Sequence, residues 1–105
     1  MDMIRETMQR LRVGEEAIAL RRHLHAHPDL SEQETPTMEL ICEKLDALGI
    51  PYQKNVASTG VVGLIEGSFP GPVIGLRADM DALPIQEDHP DASYCSRKPG
   101  VMHAC

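Results

Sequence analysis

Gly75-Leu76-Arg77-Ala78-Asp79-Met80-Asp81-Ala82-Leu83-Pro84 is the stretch that decides the fold. An apolar run, Val73 to Leu76, leads directly into two carboxylates one residue apart, and Leu83-Pro84 then breaks it. A short continuous apolar run bounded by turn residues predicts a strand buried on both faces. Alternation along such a strand would point Asp79 and Asp81 the same way. Acidic groups at the carboxyl end of a buried strand lie where open α/β sheets place their ligands. A lone Asp-x-Asp is more often a solvated loop, so the surrounding chain has to carry the argument.

Working backwards from that stretch, residues 52–66 shift towards a period of two. Tyr52 to Ala57 and Gly60 to Glu66 read as strands joined by Ser58-Thr59-Gly60, an antiparallel hairpin. Val73 to Leu76 would add a third strand. Before the hairpin, Met38, Ile41, Leu45 and Leu48 form one helical stripe, and Gly49 followed by Pro51 stops it. The helix starts between 32 and 36: Ser31 and Glu34 have capping-box spacing, while Thr35-Pro36 resembles an N-cap with proline at the first position. Residues 3–26 form an earlier helix with a kink or break near Gly14, and Pro28 ends it. Beyond Pro84, Gln86 to Pro99 is polar, holds two prolines and shows no periodicity. A loop of that length in a compact domain is usually functional or disordered.

The bulk properties exclude several classes. One hundred and five residues support one small domain. Ten basic against sixteen acidic residues, a net charge of −6, argue against nucleic acid as a partner. No apolar run approaches the roughly 18 residues of a membrane span, and the N-terminus lacks a secretory layout. Three cysteines, Cys42, Cys95 and Cys105, are too scattered for a disulfide framework, so a reducing cytoplasm is expected. The chain stops at Cys105 directly after Gly-Val-Met-His-Ala, and we read it as cut short.

Two clusters could carry chemistry. His23 and His27 share a helix face at metal-ligand spacing, but with Pro28 adjacent a capping role is favoured. His103-Ala104-Cys105 offers two good ligands for zinc or a similar ion, too few for a site. Cys42 falls on the apolar side of its helix and is expected in the core. Cys95 has no activating histidine nearby in sequence.

Several segments together resemble one family. Ala19 to Ser31 resembles its opening signature, Arg-x-Leu-His-x-x-Pro-Glu-Leu-Ser, with Asp29 standing for the usual Glu. Glu34 and Thr37 match the Glu-x-x-Thr that follows. Leu45 to Ile50, Thr59 to Val62, Leu76 to Ile85 (Leu-Arg-Ala-Asp-Met-Asp-Ala-Leu-Pro-Ile) and Pro99 to Cys105 (Pro-Gly-Val-Met-His-Ala-Cys) fall in the family's order. The family is the metal-dependent amidohydrolases of the M20 metallopeptidases, the branch of hippurate hydrolase and indole-acetyl-amino-acid hydrolases.

The resemblance implies an α/β fold: the N-terminal part of a zinc-exopeptidase-like catalytic domain, two helices and then a short mixed sheet, incomplete over residues 1–105 and without the lid or dimerisation domain. It implies hydrolysis of the amide bond of a small-molecule N-acyl amino acid, hippurate-like, at two divalent metal ions, Mn or Zn, in an enzyme that can be a homo-oligomer. Cys105 falls on the first metal ligand. Asp81 falls on the catalytic Asp that backs a metal ligand and orients it. Asp79 and His103 become supporting or structural residues. The following Gly-His-Asp, the paired glutamates and two further histidines are not among these residues, so the fragment alone is expected to hold no metal pair and to be inactive. The rival class is a non-catalytic truncated product, a binding module holding zinc through His103 and Cys105. A redox protein using Cys95 and Cys105 is the weaker third, since no Cys-x-x-Cys is present.

Overall fold

The computed structural model describes residues 2–104. Its elements run α1 (Asp2–Arg10), α2 (Val13–Ala26), α3 (Thr35–Ala47), β1 (Tyr52–Val56) and β2 (Gly60–Gly63). They fall into two compact units, one of residues 1–28 with 84–105 and the other of residues 29–83. Among the described residues no helix is long and apolar enough to cross a membrane.

In the first unit, the single helix expected over residues 3–26 is two. The break lies at Leu11-Arg12 rather than at Gly14, because Arg12 takes the left-handed conformation with φ 56°. That conformation crowds any Cβ. Gly14 is absorbed into the first turn of α2, where Glu15 and Glu16 suit the positive end of the helix dipole. The apolar side chains of α1 stay open to solvent, with Met3 78% and Ile4 61% exposed.

Pro28 stops α2 as expected, and the last turn is closed by histidine. His27 donates to the His23 carbonyl from its backbone N–H, at 3.0 Å, and from its ring Nδ1, at 2.9 Å. The two rings stack with centroids 4.5 Å apart. These bonds supply the capping role expected of the pair, and the Arg97 N–H satisfies a further carbonyl of the last turn, that of Ala26, at 2.9 Å. That bond ties the 84–104 segment to the C-terminus of α2.

In the second unit, α3 begins inside the expected window, but its cap is neither of the expected ones. The N-cap residue is Glu34 and its side chain does not cap; Thr35 and Pro36 fill the first two helical positions. Proline there removes one of the donors that a helix start leaves unpaired. The donor of the third position, Thr37 N–H, goes to Asp29 Oδ2 at 3.1 Å, and the Thr37 hydroxyl donates to the same oxygen at 2.7 Å. At the other end Gly49, with φ 68°, allows a reversal in which Gly49 N–H bonds the Asp46 carbonyl and Ile50 N–H bonds that of Leu45, both at 3.0 Å. Thr37, Met38 and Cys42 are the buried residues of α3, which bears out the core position expected for Cys42.

The hairpin is antiparallel as expected, with Tyr52 opposite Gly63 and Gln53 opposite Val62. Both strands are shorter than the sequence predicts. Between Gln53 and Val56 the register slips, and Asn55 has φ 59°, the signature of an extra residue bulged into one strand. Ala57 and Ser58 then turn with φ 49° and 83°, so β1 ends at Val56. The Tyr52 hydroxyl donates to Asp46 Oδ2 at 3.1 Å. Burial and then that carboxylate push its pKa up to about 12.

The third strand is not there. Val73, Ile74 and Leu76 are 92%, 83% and 97% exposed and belong to no ladder, so the sheet has two strands, not three. An apolar run becomes a strand only when a neighbour takes its N–H and C=O groups, and none among the described residues does so. Further on, Ala82 forms an isolated parallel bridge with Leu30.

The left-handed Arg12 yields a direct test. Arg12→Gly should stabilise the chain by about 0.5–1 kcal/mol, since glycine adopts that φ freely, read as a raised denaturant midpoint. An unchanged or lowered midpoint would place the helix break elsewhere.

Candidate functional site

Asp79 and Asp81 lie on the exposed segment that follows the unpaired apolar run, in the 29–83 unit. The strand that would have aimed them together does not form, so pleating does not set their directions. Asp79 Oδ1 accepts from Arg77 Nη2 at 3.1 Å, with both side chains largely in water, a pair of small energetic weight. Asp81 is exposed. With Glu32, Glu34, Thr59 and Arg77 these two carboxylates line an open groove. Glu34 is 6% exposed and accepts a hydrogen bond from the Thr59 hydroxyl. Its carboxyl is therefore engaged in fixing the hairpin turn.

Immediately after Asp81 the backbone is anchored. Ala82, 2% exposed, donates its N–H to the Asp29 carbonyl at 2.7 Å. Asp29, 3% exposed, is the residue whose carboxyl holds the start of α3.

His103 belongs to the other unit and is half-buried; Cys105 lies outside the described residues. The segment leading to His103 is organised by residues that the sequence did not single out. Glu87, its side chain 7% exposed, takes His25 Nε2 on one carboxylate oxygen at 2.9 Å. The other oxygen accepts the Ser96 N–H. The Ser96 hydroxyl donates to the Val101 carbonyl at 2.6 Å, and Gly100 N–H bonds Gln86 Oε1 at 2.7 Å. Tyr94 meets His25 edge-on, with ring centroids 5.9 Å apart, and Arg22 lies over Tyr94, 5.0 Å from its centroid. Gln86 and Glu87 thus clamp both ends of the 96–101 turn. The signal available in the sequence was weak: a non-periodic polar loop and a half-apolar helix carrying His25.

Among the described residues no three His, Cys, Asp or Glu side chains are grouped to hold a metal ion. Carboxylate and imidazole donors of the right type are present in Asp79, Asp81 and His103. They do not by themselves amount to a centre for two ions.

No protein-family model matches the chain. Over 105 residues it is 46% identical to the N-acyl-L-amino acid amidohydrolase of Geobacillus stearothermophilus, covering 98% of this chain and 28% of that protein. It is 43% identical to thermostable carboxypeptidase 1 of Saccharolobus solfataricus, covering 100% of this chain and 27% of that one. Among solved structures, the Bacillus subtilis YXEP protein, described as a dinuclear metal binding peptidase of the M20 family, superposes with a TM-score of 0.80 at 43% identity. That match covers 87% of this chain and 26% of YXEP. The chain spans about a quarter of the length of the relatives it matches.

The clamp yields a pH prediction. Ser96 N–H and then His25 hold the Glu87 carboxyl below its ordinary value of 4.5. A carboxylate lowered by folding adds stability above its unfolded pKa and loses it as pH falls through the native one. Wild-type stability should therefore decline on acidification below that ordinary value of 4.5, more steeply than that of Glu87→Gln in parallel melts. Equal slopes would show that the Glu87 carboxyl makes no such contribution to stability.

Proposed function

Because the chain is a homologue of the M20 family of amidohydrolases and peptidases, matched over a quarter of their length, we propose that it is the N-terminal portion of the catalytic domain of a metal-dependent amidohydrolase. The substrate class is an N-acyl amino acid, hippurate-like. The observation that carries the reading is 46% identity, along 98% of the chain, to a protein named for that activity. The dinuclear metal binding named for YXEP supports a pair of metal ions; the ions proposed are divalent, Mn or Zn.

The residues divide the work as follows. Cys105 supplies a thiolate, a ligand type suited to such ions. Asp81, whose carboxyl reaches solvent next to the anchored Ala82, accepts a hydrogen bond from a ligating side chain and fixes its orientation. Asp79 and His103 flank these positions and support them. A metal pair, when bound, supplies a polarised amide carbonyl and an activated water. The remaining ligands lie outside these 105 residues, so the segment alone is not expected to turn over substrate.

The experiment is to read the coding sequence past residue 105, where Gly-His-Asp is expected, and to assay the full-length, metal-loaded protein on N-benzoylglycine. Cys105→Ala should abolish detectable turnover, and Asp81→Asn should lower kcat about 10- to 100-fold. Full activity in Cys105→Ala would overturn the assignment.

A further inference from the structure

We propose that Asp29 and Thr37 are positioning residues for Asp81, acting through the backbone of Ala82. The inference rests on the role given to Asp81 above and extends it to two residues that touch neither substrate nor metal.

The chain of contacts is short. A peptide group is a rigid plane, and the plane joining Asp81 to Ala82 carries the Asp81 carbonyl carbon, one bond from the Cα that bears its carboxyl. The N–H of that plane is held at 2.7 Å by the Asp29 carbonyl. Parallel pairing of Leu30 with Ala82 and the burial of the Ala82 methyl hold it further. On the other side of Asp81 no comparable backbone bond is made among the described residues: residues 73–79 are exposed, Met80 is half-buried, and Asp79 pairs with Arg77 at the surface. The direction in which Asp81 leaves the backbone is therefore set from the Ala82 side.

Asp29 can serve as that anchor only if its own backbone is fixed. It lies in the loop between α2 and α3, and what fixes it is its side chain. One oxygen, Oδ2, receives both the N–H and the hydroxyl of Thr37, at 3.1 and 2.7 Å. Both partners are buried, Asp29 at 3% and Thr37 at 4% exposure, so water does not substitute for a lost bond at low cost. Thr37 in turn is fixed by the helix it starts. The rigidity of α3 thus reaches the exposed acidic segment through one carboxyl and one carbonyl of the same residue. A carboxyl at position 29 serves as a remote cap for α3, and its carbonyl as the fixed end for Asp81.

The test separates a hydroxyl-dependent placement from plain packing. In the full-length, metal-loaded enzyme, Thr37→Val removes the hydroxyl and keeps the shape. It should lower kcat about tenfold, leave KM within about twofold, and weaken metal retention on dialysis by a similar factor, in the range found for residues that orient ligands. Thr37→Ser, which restores the hydroxyl, should recover most of the loss. By amide hydrogen exchange, Ala82 should exchange faster in Thr37→Val than in wild type or Thr37→Ser. If Thr37→Val does not fold, Thr37→Ala, which suits a helix, carries the same expectation. Wild-type kcat, metal retention and Ala82 exchange in Thr37→Val, alongside an impaired Asp81→Asn, would overturn the inference and leave the role of Asp81 standing. Equal losses in Thr37→Val and Thr37→Ser would overturn it too, since the hydroxyl would then be irrelevant. An unimpaired Asp81→Asn would instead overturn the role of Asp81 and the inference with it.

Discussion

One buried carboxyl oxygen, Asp29 Oδ2, has two donors from Thr37, and the 29–83 unit depends on that arrangement. A helix start leaves several N–H groups without partners. In α3 the residue at the N-cap, Glu34, cannot help, because its carboxyl is engaged by Thr59 in the hairpin turn. Proline at the second helical position removes one donor, and Asp29 answers the next from eight residues upstream. Leaving a buried donor and acceptor unmatched here would cost about 1–3 kcal/mol, a large share of what so small a core can hold. The same residue then uses its carbonyl on Ala82, so the start of α3 and the end of the acidic stretch share a single support.

Much of this was legible in the sequence wherever the physics is local. Pro28 had to end α2 because of its ring, and Gly49 closes α3 because only a residue at ease with positive φ allows that reversal. Alternation found the hairpin. Arg12 was missed because nothing in its side chain announces a left-handed backbone, whereas Gly14 drew attention for a flexibility it does not use. The expectation for Val73 to Leu76 failed for the opposite reason. Its composition is that of a buried strand, but a strand is a relation between two segments, and composition describes one. The expected β1 overshoots because Ala57 and Ser58 turn with positive φ, and the expected β2 overshoots because its partner strand begins at Tyr52, opposite Gly63.

The candidate site divides along the same line. Asp79 and Asp81 stand out in the sequence as an unusual pair, and Cys105 and His103 as ligand types close together. The supports of these positions do not stand out. Thr37 and Asp29 are eight residues apart, and Glu87 lies 62 residues from the histidine it holds. Long-range hydrogen bonds of this kind leave no periodic trace. The family motif held Asp29 and Thr37 in view without saying why they belong together; the shared Oδ2 supplies the reason.

On the function proposed above, these residues would contribute some of the ligands of a two-metal hydrolase, with the others elsewhere. Calorimetric titration of the purified 105-residue chain with Mn or Zn ions, followed by incubation with an N-acyl amino acid, addresses it most directly. The account predicts no tight two-ion stoichiometry and no hydrolysis. Tight binding of two ions per chain together with turnover would contradict it.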